Sequence, residues 1–249
     1  MAVAYLDYNA SSPLAEELIA ELPLLAQRGY GNPSSVHKLG RECRRMIVDS
    51  TDTTARAINS RPEDLVWTSG ASEANSWVLK SLARSRILVS AIEHDSTRLA
   101  ADATGARVET IGVDSSGRID LDSLAGLLAA GPADLVSTVH ASNETGVIQP
   151  IREIAELARR HGVPLHVDCA QTLGKIAVDF ERLGADYATF SAHKIGGPKG
   201  VGFLATHRHA PRLAPLVGGK QQRGLRGGTE NTLGVALTGR ALALLDSES

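Results

Sequence analysis

Cysteine is scarce in this chain, with only Cys43 and Cys169 among its 249 residues. The separation of the two residues matches none of the spacings that are typical of a metal site. We therefore expect free thiols, a reducing cytoplasmic setting and no bound metal.

The chain also lacks the features of a membrane or secreted protein. No run approaches the roughly 18 apolar residues that a membrane helix needs. Residues 1–13 contain no basic segment followed by an apolar one, so no secretory signal is predicted. The formal net charge is −2 and both signs are scattered, so no positive field points to nucleic acid or to an anionic membrane. The composition, 43% hydrophobic and 22% charged, is typical of a soluble globular protein.

Seven short runs rich in β-forming residues alternate with segments of helical periodicity. The helical pattern is clearest over residues 150–162, where Ile151, Ile154, Ala155 and Ala158 form one apolar face. This alternation predicts an α/β fold, a mainly parallel sheet with helices on both faces, whose ligands bind beyond the carboxyl ends of the strands. The predicted strands are residues 64–68, 86–92, 106–113, 134–140, 164–168, 186–191 and 200–206.

The segment TSGASEAN (residues 68–75) follows the first predicted strand and opens into a helix. Gly70 permits the turn, and Ala71 and Ser72 offer free backbone amides at a helix N-terminus, an arrangement that binds phosphate. The Ser72 hydroxyl adds a donor. The alternative is an ordinary helix cap with a glutamate as its capping-box partner, and this segment alone favours the cap.

A second polar cluster, HVDCAQ (residues 166–171), places Asp168 at the end of an apolar strand. A carboxylate in this position can cap the next helix. It can also pair with the protonated pyridine nitrogen of pyridoxal phosphate (PLP).

The third cluster, SAHKIGGPKG (residues 191–200), places Lys194 at a strand end before a glycine-rich turn. Flexible lysines usually lie on solvated helix faces, whereas a lysine beside cationic or apolar groups loses its proton and forms a Schiff base with a carbonyl. Lys199 is the competing lysine, but its Pro-Lys-Gly setting fits a turn.

Together these segments resemble the motif blocks of one family, in that family's order. SAHKIGGPKG is similar to the lysine motif of class-V aminotransferase-like, fold-type I PLP enzymes, above all the cysteine desulfurases of NifS/IscS type. Seven or more ordered blocks are far more specific than one motif. The others are LDYNASSP (6–13), GNPSSVHKLG (31–40), WTSGASEAN (67–75), EHDS (93–96), HASNETGVIQPI (140–151), HVDCAQTLGK (166–175) and RGGTEN (226–231).

The resemblance covers nearly the whole chain and implies the large domain of a fold-type I PLP-dependent transferase. That domain is α/β, with a mainly parallel seven-stranded sheet and helices on both faces. Residues 16–249 would form the PLP-binding domain. Residues 1–15 would pack against a C-terminal small domain, which we expect to be missing from this sequence.

The same resemblance implies roles around the cofactor ring. Lys194 would hold PLP covalently and move protons on the substrate, and His94 would stack on the ring and take part in acid–base steps. Asp168 would pair with the ring nitrogen, and Gln171 would donate a hydrogen bond to the phenolic oxygen. Asn143 would lie beside that oxygen and the substrate carboxylate.

The phosphate would be surrounded by a second group of residues. Thr229 would reach the phosphate of the partner subunit's cofactor, which implies a homodimer. Two simpler interpretations remain: His94 is a surface helix cap, and His193 is a hydrogen-bonded core histidine. The residues around the phosphate of the chain's own cofactor would be Ala71, Ser72, Ser191 and His193.

The function implied is PLP-dependent removal of sulfur from L-cysteine, giving alanine and an enzyme-bound persulfide. The sulfur would pass to an acceptor protein for iron–sulfur cluster assembly or tRNA thiolation. Two alternatives stay open. One is another class-V reaction, by a C–S lyase, a selenocysteine lyase or an aminotransferase. The other is a catalytically silent PLP-binding subunit.

The sequence departs from the family in its C-terminal part. The family's persulfide-forming cysteine, and an arginine that binds the substrate carboxylate, lie in the small domain beyond the RGGTEN block. Cys169 is more simply explained as a small packed side chain, and Cys43 as part of a helix, although arginines near Cys43 would lower the pKa of its thiol. The chain is a fragment, one half of a split enzyme with a separate small-domain chain, or a short homologue.

Overall fold

The computed structural model describes residues 4–247, which form seven β-strands and eight α-helices. The strands are β1 (Leu65–Thr68), β2 (Arg86–Ser90), β3 (Arg107–Ile111), β4 (Leu135–Val139), β5 (Leu165–Asp168), β6 (Tyr187–Ser191) and β7 (Gly202–Thr206). The helices are α1 (Glu16–Arg28), α2 (Lys38–Ala57), α3 (Ala71–Leu82), α4 (Asp95–Asp102), α5 (Leu121–Ala129), α6 (Ile151–Arg160), α7 (Phe180–Leu183) and α8 (Thr232–Ser247).

The strands form one sheet in the order β1-β7-β6-β5-β4-β2-β3. Only β7 runs antiparallel to its neighbours, β1 and β6, and all other pairs are parallel. The mainly parallel seven-stranded sheet is therefore confirmed. Each predicted strand is present but one to three residues shorter, because its flanking residues enter turns. Asp64, for example, belongs to a 3₁₀ turn that begins at Pro62.

Helices cover both faces of the sheet, as expected. On β1, Leu65 and Trp67 face one core while Val66 faces the other, which is the two-residue alternation of a strand. Helices α3 and α4 pack on the Val66 face. Helices α2, α5, α6, α7 and α8 pack on the opposite face and enclose the larger core.

Helix α6 confirms the clearest helical pattern in the sequence. Its predicted apolar side chains, Ile151, Ile154, Ala155 and Ala158, are all buried. The helix ends before Gly162, which adopts φ 67°, a left-handed conformation that glycine adopts without strain.

The connection from β1 to α3 depends on two glycines. Gly70 adopts φ 152° at the helix N-cap, in a region that side-chain-bearing residues rarely enter. Gly202 on β7 passes so close that a Cβ atom there would lie 2.6 Å from Gly70 Cα. This close approach brings the start of α3 against the ends of β6 and β7.

The N-terminal segment lies against the turn that follows β6. Ser12 donates from its backbone N–H to the His193 carbonyl at 2.8 Å, and Ala15 donates to the Gly196 carbonyl at 3.0 Å. The packing of residues 1–15 on a small domain stays a prediction, and residues 1–3 lie outside the described part of the chain. Among residues 4–247, no helix has the length and apolarity needed to cross a bilayer.

Candidate functional site

A cavity of about 540 Å³ opens at the carboxyl ends of the parallel strands. It brings together nine of the ten residues predicted for the site, and Thr229 does not line it. The nine are Ala71, Ser72, His94, Asn143, Asp168, Gln171, Ser191, His193 and Lys194.

Lys194 lies in the 3₁₀ turn that directly follows β6. Its Nζ donates hydrogen bonds to the backbone carbonyls of Asn9 and, at 3.0 Å, Ala10. Partial burial lowers the pKa of Lys194, and the positive charge of Lys175 lowers it further. The amine is thus easier to deprotonate than a surface lysine, which a nucleophilic amine requires.

Asp168 ends β5 and is buried, and its carboxylate is fixed from two sides. Oδ2 accepts from Asn75 Nδ2 at 2.7 Å, and Oδ1 accepts from the Ala170 backbone N–H at 2.9 Å. Asn75 is itself oriented by Thr189, whose hydroxyl donates to Asn75 Oδ1 at 2.6 Å. Burial raises the pKa of Asp168, although both hydrogen bonds and the charge of Lys194 oppose the rise. The side chain is therefore placed to receive a cationic partner.

Asn75 and Thr189 were not predicted from the sequence. Asn75 has no exposed surface within α3, and asparagine is a weak helix former. An asparagine at a helix position that faces the sheet was the available signal. Its role depends on a contact with Asp168, 93 residues further along the chain, which no local pattern reveals.

The N-terminus of α3 points at the cavity beside two serine hydroxyls. Its N-cap residue, Gly70, provides no side-chain cap, so the first backbone N–H groups keep their donor capacity. Glu73 accepts from the Ser69 backbone N–H at 2.9 Å, which is part of the capping interaction considered as the alternative. Ser72 and Ser191 line the same end of the cavity. These groups form a donor-rich end suited to an anion.

His94 is a helix cap and also lines the cavity, and its role toward a cofactor ring stays a prediction. It is the N-cap of α4, where Nδ1 accepts from the Ser96 backbone N–H at 3.0 Å, and it is exposed. It also lines the cavity together with Asp168. His193 is only half-buried, so it is not the core histidine of the simpler interpretation. Its Nδ1 lies 3.2 Å from Ser11 Oγ.

Gln171 and Asn143 meet at the mouth of the cavity through Asn9. Gln171 Nε2 donates to the Asn9 carbonyl at 2.8 Å, and Asn9 Nδ2 donates to the Asn143 carbonyl at 3.3 Å. Lys175 Nζ donates to Gln171 Oε1 at 2.6 Å. Asn9 and Lys175 fall within the motif blocks of the sequence but were not predicted as site residues.

Thr229 is exposed on a glycine-rich loop. The loop is fixed by Arg226, which makes a bidentate ion pair with Glu73 at 2.9 and 3.1 Å. Two hydrogen bonds in one plane give this pair both strength and a defined orientation. The loop is therefore joined to the helix whose N-terminus faces the cavity.

Neither cysteine lines the cavity. Cys43 and Cys169 are both free and fully buried. Burial raises the pKa of the Cys169 thiol, which lies 3.8 Å from His140 Nδ1. Thiolate is the reactive form of cysteine, so Cys169 is inert in this environment. Among residues 4–247, no group of three or more metal-ligating side chains is positioned to hold a metal ion.

Glu93 carries an inward-facing carboxyl group that the sequence did not single out, although part of the residue is exposed. Its Oε1 accepts from Ser90 Oγ at 2.6 Å. Burial of the carboxyl group, together with the nearby charge of Asp168, raises the pKa of Glu93 to about 8. The carboxyl groups of Glu93 and Asp168 therefore lie at the same edge of the sheet, and each opposes the ionisation of the other.

Comparison with known proteins agrees with this geometry. The family model for class-V aminotransferases matches residues 4–249. A cysteine desulfurase from Frankia sp. is 41% identical over 95% of this chain and 61% of its own length. A NifS-like protein from Rickettsia africae superposes with a TM-score of 0.93 at 32% identity, covering 99% of this chain and 70% of that chain. A structure described as SspA in complex with cysteine gives 0.89 at 30% identity, over 97% and 72% of the two chains.

The chain spans 61–66% of the length of three curated relatives that it matches, all of them named as cysteine desulfurases. Within that span the match is continuous, and the solved NifS-like structure shares the fold almost throughout. The chain belongs to the class-V aminotransferase family and, within it, to the NifS/IscS type.

Proposed function

We propose that this chain is the PLP-binding part of a cysteine desulfurase. The observation that carries the proposal is the placement of Lys194 and Asp168, which face one cavity from the ends of the neighbouring strands β6 and β5. An amine with a lowered pKa and a buried carboxylate in one cavity are the two side chains that PLP requires.

The other residues of the cavity fit the same cofactor. The uncapped N-terminus of α3 and the hydroxyls of Ser72 and Ser191 suit its phosphate. The volume of about 540 Å³ lies within the range of small-molecule sites. When bound, PLP supplies an electron sink that acidifies the α-carbon of an amino acid.

Each residue then has a defined role. Lys194 binds the cofactor and moves a proton at the substrate α-carbon. Asp168, held by Asn75, stabilises the protonated ring nitrogen. His94 would cover the ring, and Gln171 would donate to the phenolic oxygen in place of the Asn9 carbonyl.

L-Cysteine is the proposed substrate, with alanine and transferred sulfur as the products. Relatives named as cysteine desulfurases and a related structure holding cysteine support this choice. Because Cys43 and Cys169 are buried, the thiol that accepts the sulfur is supplied from outside residues 4–247. Iron–sulfur cluster assembly or tRNA thiolation in the cytoplasm would use the product.

A homodimer completes the proposal. Thr229 is exposed on a loop that the Arg226–Glu73 ion pair fixes in place. An exposed hydroxyl that lies outside its own cavity, on a loop held by an ion pair, fits a contribution to the partner's phosphate.

The cofactor is tested by spectroscopy and chemical trapping. The purified chain mixed with PLP should be yellow, and borohydride reduction should leave a pyridoxyl label on Lys194, located by peptide mass spectrometry. Lys194→Ala should lose both signals, while Lys199→Ala keeps them at saturating PLP. A label on Lys199 instead would refute the assignment.

The reaction is tested with L-cysteine. The chain alone should change its visible spectrum on adding L-cysteine but release little alanine, because no accessible thiol is present to accept sulfur within near-attack distance. Rapid alanine release that Cys169→Ala abolishes would overturn this view.

A further inference from the structure

The turn that follows Lys194 brings a second lysine to the cavity. Lys199 and Gly200 line it together with Gly70, Ser72 and Ser191. The strand register explains why: Thr68 at the end of β1 pairs with Gly202 at the start of β7. Lys199 therefore belongs to the end of the cavity that holds the α3 N-terminus.

The other cations around the cavity have hydrogen-bond or ion-pair partners, with one exception. Arg226 is paired with Glu73. Lys175 is bound to Asn9 and Gln171. Lys199 is exposed and makes no hydrogen bond or ion pair within residues 4–247.

His193 favours its neutral form in the cavity. Burial lowers its pKa, and the charges of Lys194 and Lys199 lower it further, which also shows that Lys199 lies close to it. The lowered pKa favours the neutral imidazole, which acts as a hydrogen-bonding group. Lys199 is then the unpaired cation that faces this end of the cavity.

A phosphate monoester carries about −1.5 to −2 charges at neutral pH. A helix N-terminus offsets only about half a charge, and serine hydroxyls add hydrogen bonds without charge. The remaining negative charge needs a cation within reach of the α3 N-terminus.

We propose that Lys199 is the counter-ion of the cofactor phosphate and makes the cavity selective for phosphorylated over unphosphorylated pyridoxal. The inference rests on the proposed PLP site. It gives the two lysines of one turn different roles, because Lys194 serves the carbonyl end of the cofactor and Lys199 serves the phosphate end.

The test is equilibrium binding of two ligands, PLP and pyridoxal, to the full chain, followed by absorbance. Lys199→Gln should raise the Kd for PLP about ten-fold, the loss expected for one charge-assisted contact, and leave the Kd for pyridoxal unchanged. Lys199→Arg should retain most of the affinity. Lys80→Gln, at the exposed far end of α3, is the matched control and should change neither Kd.

Inorganic phosphate provides a second readout. It should compete with PLP in the unsubstituted chain and compete less well in Lys199→Gln. An unchanged Kd for PLP in Lys199→Gln, or equal weakening of PLP and pyridoxal, would overturn the inference and leave the proposed function intact. Failure of the unsubstituted chain to bind PLP would overturn the proposed function itself.

Discussion

The two faces of strands β5 and β6 are built from the same consecutive residues but differ in kind. On the face that packs against α2 and α5–α8, every side chain is apolar: Leu165, Val167, Ala188 and Phe190. On the α3 face, most side chains are polar or ionisable although they too are buried: His166, Asp168, Tyr187, Thr189 and Ser191.

The difference separates two ways of stabilising a buried surface. Burying apolar side chains stabilises the folded chain because they leave water, whatever their exact partners. Burying polar groups destabilises the folded chain unless each one makes a hydrogen bond. Asn75 serves this purpose for Asp168 and Thr189, but His166 Nε2 has no partner among the described residues. The α3 face therefore carries the cavity residues, and the opposite face supplies the apolar packing that stabilises the fold.

The largest expected effect is on the apolar face. Phe190→Ala should lower the free energy of unfolding by about 3–5 kcal/mol, because deleting a buried aromatic ring leaves a cavity. Phe190 is fully buried and stacks on Phe203 with ring centroids 4.5 Å apart. Urea unfolding of the PLP-free chain, followed by circular dichroism, measures the change. Tyr30→Ala, at a side chain that is 71% exposed, should change it by less than about 0.5 kcal/mol.

The polar edge of the sheet should respond to pH instead. Glu93 has a pKa raised to about 8, so the folded chain keeps a proton that the unfolded chain releases near pH 4.5. Stability from this group is present at low pH and is lost as the pH rises toward 8. Glu93→Gln should match the unsubstituted chain at pH 4 and exceed its stability at pH 8.5 by roughly 2–4 kcal/mol, the full shift giving the upper figure and partial exposure of the residue reducing it. Equal stability of the two proteins at both pH values would mean that Glu93 is not held protonated.

The apolar face was largely predictable from the sequence and the polar face only in part. All seven runs predicted as strands form strands, because a strand that is buried on one or both faces has a recognisable pattern of apolar residues. One local error, at Asp64, came from Pro62, which starts a 3₁₀ turn before the strand. The motif blocks located nine cavity residues, since each lies at a helix start, at a strand end or in the turn that follows one.

The supporting contacts left no such record. Asn9 meets Gln171 and Lys194 across separations of 162 and 185 residues, so its place at the cavity mouth depends on the tertiary fold. Glu93 resembles an ordinary surface acid in the segment EHDS, and only the meeting of strand ends buries its carboxyl group. Sequence patterns indicate which side chains face inward, but not which distant polar groups form hydrogen bonds with each other.

A charge-removing change on the polar face should separate binding from stability. Asp168→Asn should leave the stability of the PLP-free chain within about 1 kcal/mol, because the amide keeps an acceptor for one hydrogen bond and removes a buried charge. The Kd for PLP should rise about ten-fold, since the ring nitrogen loses its anionic partner. The substitution should also lower the pKa of Glu93 in part, because burial raises that pKa most and the Asp168 charge raises it further. Paired urea and PLP titrations measure both effects, and equal losses in each would show a folding defect instead.

The smallest effect is expected one residue further, where the chain returns to the apolar face. Cys169 is fully buried beside Leu173 and Val167 in the larger core, and burial raises its thiol pKa. Cys169→Ala should lower the free energy of unfolding by only about 1 kcal/mol, the loss from one small buried group, and leave the Kd for PLP unchanged.

Thiol reactivity is a second measure of how well Cys169 is buried. The folded chain should show no rapid reaction with a disulfide reagent such as dithionitrobenzoate, whereas the urea-unfolded chain should react at two thiols. Burial prevents both thiolate formation and reagent access, so the thiols of the folded chain should react more slowly than those of the unfolded chain. Fast reaction of Cys169 in the folded chain, removed by Cys169→Ala and retained in Cys43→Ala, would show that the apolar face opens. The separation of chemistry and core between the two faces would then fail at the residue next to Asp168.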